Sequence, residues 1–349
     1  MPPVWWATTT SPPRSPGGCP AGDGAGGCGY QDGAARLCGG RGRRAALPAR
    51  RGGMMHRKGR KGMIRFLVFT DLHLEDCTDG LRRLETILRH AKEAKVDFIV
   101  SLGDLCFPTE GYSPVMEKLR GCGIPVYHTI GNHDVQDWEL PVSLRFLGKE
   151  RAWEAFEAGG YRFLILDTCY WRSQEGDFHF PNKQRIPSQY PVLPEEQLQW
   201  LEAQLADGQE TVIFSHMSLV NPFARRGIAN KEAVQRILRG KNVLLCMNGH
   251  DHGSDLKQLD GVPYYTVSSA SQFCWWGGDP PGSRVENLFY KDPLHVIVEL
   301  AEDEIRIRGM ESSFEGLTPE DVGVYDYRWN GVDVHPIARS CVLKREKKE

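Results

Sequence analysis

The chain has 349 residues, 40% hydrophobic and 25% charged, an ordinary globular composition long enough for one large domain or two small ones. The net charge of −2 hides an asymmetry: residues 1–62 carry nine Arg and two Lys against two Asp, about +9, which leaves about −11 on residues 63–349. No run reaches the roughly 18 consecutive apolar residues of a membrane span, and the ten cysteines, none in CxxC spacing after residue 62, argue against a disulfide framework and for reduced thiols in a cytoplasmic protein.

In chain order, residues 1–62 come first. They are rich in Gly, Pro, Ala and Arg and have no hydrophobic periodicity. Such a segment cannot bury enough surface to offset its ordering entropy, so it is expected to be a disordered basic extension. Met54, Met55 and Met63 also offer alternative starts, and Met63 directly precedes the first strand. The extension lacks the interleaved aromatics or amphipathic pattern of a nucleic-acid or membrane tail. VWWATTT near the start is too short and polar for a signal-peptide core.

Residues 63–349 read as one domain with two sheets. IRFLVFT (64–70), VDFIVSL (96–102) and PVYHTI (125–130) are buried strands. A helix at 80–95 with Leu81, Leu84, Ile87, Leu88 and Ala91 at helical spacing, and a shorter one at 113–122, lie between them. This βαβαβ alternation implies a largely parallel sheet with helices on its faces. YRFLILD (161–167) is a fourth strand, with a long polar loop after it over 168–193. A helix at 193–206 starts with Pro194 in its first turn. TVIFSH (211–216) and NVLLCMN (242–248) are strands around a helix at 230–240, and mostly antiparallel strands come after them at 263–269, 294–300 and 304–310.

The residues directly after each strand carry the chemistry. After the first comes DLH, with Asp71 and His73; after the second, GDL, with Asp104; after the third, GNHD, with Asn132, His133 and Asp134. TVIFSH ends in His216, and NVLLCMN runs into Gly249, His250, Asp251 and His252. Each piece alone is commonly a turn, a cap or a core histidine. Five in this order, each directly after a strand, point to one metal site, because open α/β sheets bind ligands at the carboxyl ends of their strands. The set mixes hard oxygen with imidazole nitrogen and includes no thiolate, which suits Mn, Fe, Zn or Co. Seven candidate ligands, Asp71, His73, Asp104, Asn132, His216, His250 and His252, are too many for one catalytic ion with open positions and suit two ions sharing a carboxylate. Side chains alternate along an extended backbone, so His250 and His252 project together and Asp251 is expected to matter least.

DLH, GDL, GNHD, a single later His and GHDH resemble the calcineurin-like metallophosphoesterase superfamily over about residues 64–252. The resemblance implies an α/β fold of the metallo-dependent phosphatase type, a four-layer αββα sandwich with two mixed β-sheets. It implies that Asp71, His73 and His252 hold a first metal, that Asn132, His216 and His250 hold a second, and that Asp104 bridges both. His133 would stand beside the substrate phosphate, with Asp134 hydrogen-bonded to it and orienting it.

The expected reaction is metal-dependent hydrolysis of a phosphate ester by a hydroxide bridging two divalent ions (Mn, Fe or Zn), with protonated His133 stabilising the transition state or protonating the leaving oxygen. The layout is similar to the small phosphodiesterase and phosphatase branch, so the expected partner is a small-molecule phosphodiester or phosphomonoester. GDLCFPTEG lacks the arginine-bearing signature of the Ser/Thr protein phosphatases, and the added domains of DNA-processing members are not evident. The alternatives are a nuclease and a non-catalytic scaffold of the same fold; a scaffold is expected to show missing ligands, and none is missing here.

Two loops are candidates to shape the pocket. Loop 168–193 offers Arg185 as a phosphate contact, and loop 271–284 offers Trp275 and Trp276 to stack a base, the alternative being that both tryptophans cover the sheet edge. The aromatic tail after residue 311 is expected to pack back on the body through Tyr325, Tyr327 and Trp329, or to serve a homo-oligomer interface.

Overall fold

The computed structural model describes residues 62–174, 176–180, 190–280 and 282–345. The basic extension up to residue 61 and the candidate Arg185 lie outside the described residues.

The first half of the chain forms β1 (Ile64–Phe69), α1 (Gly80–Glu93), β2 (Phe98–Ser101), α2 (Ser113–Gly121), β3 (Val126–His128), α3 (Leu140–Leu147), β4 (Glu154–Ala158) and β5 (Tyr161–Ile165). Next come β6 (Tyr170–Ser173), β7 (Gly176–His179), β8 (Tyr190–Val192), α4 (Glu195–Gln204), β9 (Thr211–Ser215), α5 (Lys231–Leu238) and β10 (Val243–Asn248). Among the described residues the regular elements after β10 are strands apart from one short turn of helix: β11 (Asp255–Leu259), β12 (Val262–Thr266), β13 (Gln272–Gly277), β14 (Arg284–Phe289), β15 (Val296–Leu300), β16 (Glu304–Arg308), β17 (Arg328–Trp329), β18 (Val332–Asp333) and β19 (Cys341–Lys344).

Two six-stranded sheets result, ordered β19-β16-β15-β1-β2-β3 and β11-β12-β10-β9-β5-β4. In the first, β1, β2 and β3 are parallel and β15 joins β1 antiparallel. In the second, β5, β9, β10 and β12 are parallel, with antiparallel strands β4 and β11 at the edges. Both sheets are therefore mixed. The strand at 263–269, expected among the antiparallel ones, instead extends the parallel set beside β10.

Alternation along the strands makes the sandwich. Phe66 and Val68 of β1, Phe98 and Val100 of β2, Phe163 and Ile165 of β5, Phe214 of β9 and Met247 of β10 share one core between the sheets. Their rings interlock, with Phe66 stacked on Phe98 at 4.9 Å and edge-on to Phe163 at 5.6 Å. The intervening Leu67, Phe69, Leu164 and Ile213 face the other way, into apolar layers that include Leu84, Ile87 and Leu88 of α1, Leu198 and Leu201 of α4, and Val234 and Leu238 of α5. Each such side chain stabilises by roughly 1.5–3 kcal/mol relative to exposure. Helices thus cover both outer faces.

Several elements were not evident in the sequence. The expected loop 168–193 contains the three-stranded sheet β7-β6-β8, and the expected loop 271–284 contains most of the β13–β14 hairpin. Helix α3 has Pro141 in its first turn and ends at Gly148 in the left-handed region, and β4 closes on β5 through Gly159 and Gly160. These segments are short, so no hydrophobic period is long enough to announce them.

The tail packs back as expected through buried Val332, Val334 and Ala338, with Trp329 edge-on to Phe273 at 6.4 Å. Tyr325 does not join it and is 77% exposed. No helix among the described residues is long and apolar enough to cross a membrane.

Candidate metal centre

The carboxyl ends of β1, β2 and β3 in one sheet meet those of β9 and β10 in the other. The backbone stitches the loops together: Asp71 N–H donates to Gly103 O (3.0 Å), His73 N–H to Asp104 O (3.1 Å) and Gly249 N–H to His216 O (3.0 Å). Two glycines of the motifs are fixed by this closeness. A Cβ at Gly131 would collide with the Asp104 carboxylate, and one at Gly249 with Thr70 Oγ1 and, at 2.7 Å, with Asp71 Oδ2. Five candidate ligands occupy the left-handed region, Asp71 (φ 50°), His73 (45°), Asp104 (52°), His250 (68°) and His252 (55°). Strain of roughly 1–3 kcal/mol each persists only where the surroundings enforce it, as at functional sites.

All seven candidate ligands are buried and converge. Potential ligand atoms of Asp71, His73 and His252 form one group, and those of Asp104, His216 and His250 form another, each within 4.8 Å. His73 Nε2 lies 3.2 Å from His252 Nε2, and His252 Nε2 lies 3.4 Å from Asp71 Oδ1. Asp104 Oδ2 stands between the groups, 3.7 Å from His73 Nε2 and 3.3 Å from His216 Nε2. Asn132 Oδ1 completes the second group, 3.1 Å from His216 Nε2.

The outward ring nitrogens are all anchored. His73 Nδ1 faces Glu75 Oε1 (3.1 Å), His216 Nδ1 the Leu102 carbonyl (2.8 Å), His250 Nε2 the Arg225 carbonyl (2.9 Å) and His252 Nδ1 the Gln272 carbonyl (3.0 Å). A carbonyl or carboxylate can only accept, so each of these nitrogens carries the proton. In a neutral ring the other nitrogen then presents a bare lone pair to the cluster. This is how metal-bound histidines are held. Asp71 Oδ1 is buried with no hydrogen-bond partner among the described residues. Converging lone pairs and an unpartnered carboxylate oxygen fit divalent cations.

The family model for calcineurin-like phosphoesterases matches residues 64–254. The chain belongs to that family. Its members and its chemistry make this protein a phosphoric ester hydrolase. The phosphoesterase is 27% identical to the manganese-dependent ADP-ribose/CDP-alcohol diphosphatase of Danio rerio, over 58% of this chain and 86% of that one. It is also 27% identical to a probable cyclic nucleotide phosphodiesterase of Psychrobacter arcticus, over 61% of this chain and 82% of the relative. Among solved structures it is similar in fold to a dimetal phosphatase from Danio rerio (TM-score 0.53, 20% identity, 72% of this chain and 98% of the other). An anchor in the inner membrane complex of Plasmodium shares the fold as well (TM-score 0.51, 15% identity, 78% and 96%).

The electrostatics of the phosphoesterase's cluster point the same way. Burial opposes charge on His73, yet Glu75, Asp104 and Asp71 outweigh it and raise its pKa to about 10. His216 is raised to about 9, again against burial, chiefly by Asp104. The carboxylates thus create a potential that retains positive charge. His250 goes the other way: burial, then Arg226 and His216, hold it well below the ordinary histidine value.

His133 sits at the mouth, its side chain 30% exposed, and its backbone N–H donates to Asp104 Oδ1 (2.7 Å). Asp134 does not orient it. The Asp134 carboxylate is buried and accepts the backbone N–H groups of Gly131 (2.8 Å), Asp104 (3.1 Å) and Leu105 (3.2 Å), pinning the GNHD loop to the GDL loop. The carboxylate facing His133 is Glu75, whose Oε1 is 3.7 Å from Nδ1.

Glu75 was not singled out in the sequence; its only signal is its place two residues after His73 in DLHLE. Asp251, expected to matter least, is fully buried and accepts from Arg226 Nε (2.8 Å) and Asn221 Nδ2 (3.0 Å). An extended-strand picture placed it outward, but the left-handed turns at its neighbours aim it into the body.

The candidate substrate contacts divide. Trp275 is buried in the intersheet core with the Arg284 guanidinium 5.3 Å over its ring, so it has no face free for a base. Trp276 is partly exposed. His179, from the same loop as Arg185, pairs with buried Asp167 (2.8 Å) rather than with the cluster.

Proposed function

We propose that this phosphoesterase hydrolyses a small-molecule phosphodiester or diphosphate, with phosphomonoesters as poorer substrates, at two divalent cations. Asp71, His73 and His252 would hold one cation, Asn132, His216 and His250 the other, and Asp104 both. The observation that carries the reading is Asp104 Oδ2, which faces a histidine of each group at 3.3 and 3.7 Å. Manganese is the first choice of metal, supported by the name of the Danio relative and by the oxygen–imidazole donor set.

Bound cations supply charge neutralisation for the phosphoryl oxygens and a nucleophile from water near neutral pH. The protein supplies the rest. Outer hydrogen bonds fix each ring, so the donor set is organised before substrate arrives. His133 Nδ1 faces Glu75 Oε1 at 3.7 Å, and from the charged ring Nε2 would give a proton to the leaving oxygen. No Ser or Cys nucleophile is required. Trp276 and Arg185 remain the proposed contacts to the rest of the substrate, and the irregular cysteine spacing supports a cytoplasmic location.

The test is a panel of aryl phosphates, cyclic nucleotides, glycerophosphodiesters and nucleoside-diphosphate conjugates, assayed with Mn²⁺, Fe²⁺ or Zn²⁺ and after chelation. Preferential cleavage of diesters or diphosphates with Mn²⁺ is expected. Activity indifferent to chelation would overturn the metal reading.

A further inference from the structure

Asp251 separates two candidate ligands, yet its side chain turns away from the cluster. Its oxygens grip the loop after β9: Oδ1 accepts from Arg226 Nε (2.8 Å) and Oδ2 from Asn221 Nδ2 (3.0 Å). Arg226 also donates to the carbonyl of His250. The residue before it, Arg225, adopts φ 63° and aims its own carbonyl at His250 Nε2 (2.9 Å). Asn221 is fixed in turn, donating to the Asn330 carbonyl (3.1 Å) and accepting the Phe223 N–H (3.0 Å). Ser254 and Asp333 then exchange two backbone hydrogen bonds (2.8 and 3.0 Å), so the C-terminal tail closes the far side of the same turn.

One carboxylate therefore holds together the loop that carries His250 and the loop whose carbonyl sets the angle of the His250 ring. His252 is anchored elsewhere, through the Gln272 carbonyl (3.0 Å) at the start of β13. The two histidines of GHDH are oriented by separate supports.

We infer that Asp251 is a positioning residue for the His250 cation alone: through Arg226 and Asn221 it holds the Arg225 carbonyl against His250, and without it the second site weakens while the first survives. This rests on the two-cation reading above. Partners of metal-bound histidines typically govern metal affinity by about 10–100-fold, and that is the effect expected here. A residue that merely stabilised the fold would not distinguish the two sites.

The experiment is Mn²⁺ titration of the metal-free full-length protein by calorimetry, with bound metal counted by elemental analysis, for wild type and for Asp251→Ala, Asp251→Asn, His250→Ala and His252→Ala. Asp251→Ala is expected to weaken one of two Mn²⁺ equivalents by 10-fold or more, matching the pattern of His250→Ala and not that of His252→Ala. Asp251→Asn, which keeps the shape and an acceptor oxygen, is expected to weaken the same equivalent by less and covers the case in which the alanine variant does not fold. Two equivalents of wild-type affinity in a folded Asp251 variant, or equal weakening of both, overturns the inference. Fewer than two equivalents in the wild type would instead strike at the two-cation reading.

Discussion

His73 and His252 face each other nitrogen to nitrogen at 3.2 Å, while the other nitrogen of each ring is committed to Glu75 or to the Gln272 carbonyl. Two bare lone pairs so close repel unless a cation or proton lies between them. His252→Ala is therefore expected to remove one metal equivalent and His250→Ala the other. Elemental analysis of the purified variants checks this, and loss of the same ion from both would contradict the division of the site.

Asp104 is expected to matter to both ions. Its Oδ2 faces His73 and His216, and its Oδ1 accepts the His133 N–H at 2.7 Å. Asp104→Ala should lose both metal equivalents and lower kcat by at least about 10³-fold, given what bound cations contribute to such reactions. Retention of one full equivalent would show that the carboxylate belongs to a single ion.

His133 should separate chemistry from metal binding. Its side chain belongs to neither the Asp71 group nor the Asp104 group; it lies with Glu75 and His73 and stands partly exposed at the mouth. His133→Ala is expected to reduce kcat by roughly 10²–10⁴-fold, the range for a general acid, with metal content unchanged. The drop should be smaller for substrates with acidic leaving groups such as aryl phosphates. An equal drop on good and poor leaving groups would remove His133 from proton transfer.

Asp134 acts structurally, because three buried backbone amides depend on its carboxylate. Each unsatisfied buried donor costs about 1–3 kcal/mol. Asp134→Ala should lower stability by about 3 kcal/mol or more, measured by denaturant unfolding. A folded, stable variant with selectively lost activity would restore a direct role beside His133.

A buried histidine in contact with a partly exposed one, outside the metal cluster, predicts acid sensitivity. His295 is buried, and that burial, with the charge of His90, lowers its pKa to about 4; His90 Nδ1 lies 3.1 Å from His295 Nε2. The unfolded chain binds a proton near its ordinary pKa of about 6.5, which the folded state refuses. Stability therefore falls as pH drops from about 6.5 to about 4, by up to about 3 kcal/mol from this group. Unfolding curves at pH 7, 5.5 and 4.5 check it, and a phenylalanine at position 295 should flatten the slope. A slope unchanged in His295→Phe assigns the acid sensitivity to other groups.

The sheet-forming runs and the residues at their ends were legible in the linear chain. Apolar runs such as IRFLVFT and TVIFSH are buried wherever they fold, and a polar motif directly after each has to emerge at a strand's carboxyl end. That local logic is enough to collect Asp71, His73, Asp104, Asn132, His216, His250 and His252 at one edge. Short or irregular segments such as α3, β4 and the β6–β8 sheet carry no such period, and only pairing with neighbours makes them regular.

Which carboxylate serves which partner was settled by the fold in three dimensions. Asp134 comes directly after His133 but turns to three backbone amides, whereas Glu75, 58 residues earlier in the chain, faces the His133 ring. Asp251 looked idle as the middle of GHDH, but left-handed turns on both sides aim it at Arg226 and Asn221. Trp275 and Trp276 are adjacent in sequence, and the pleat of β13 sends one into the core and leaves the other partly exposed. Hydrogen-bond partners depend on direction across distant loops, and direction is set by backbone turns and packing that no linear pattern encodes.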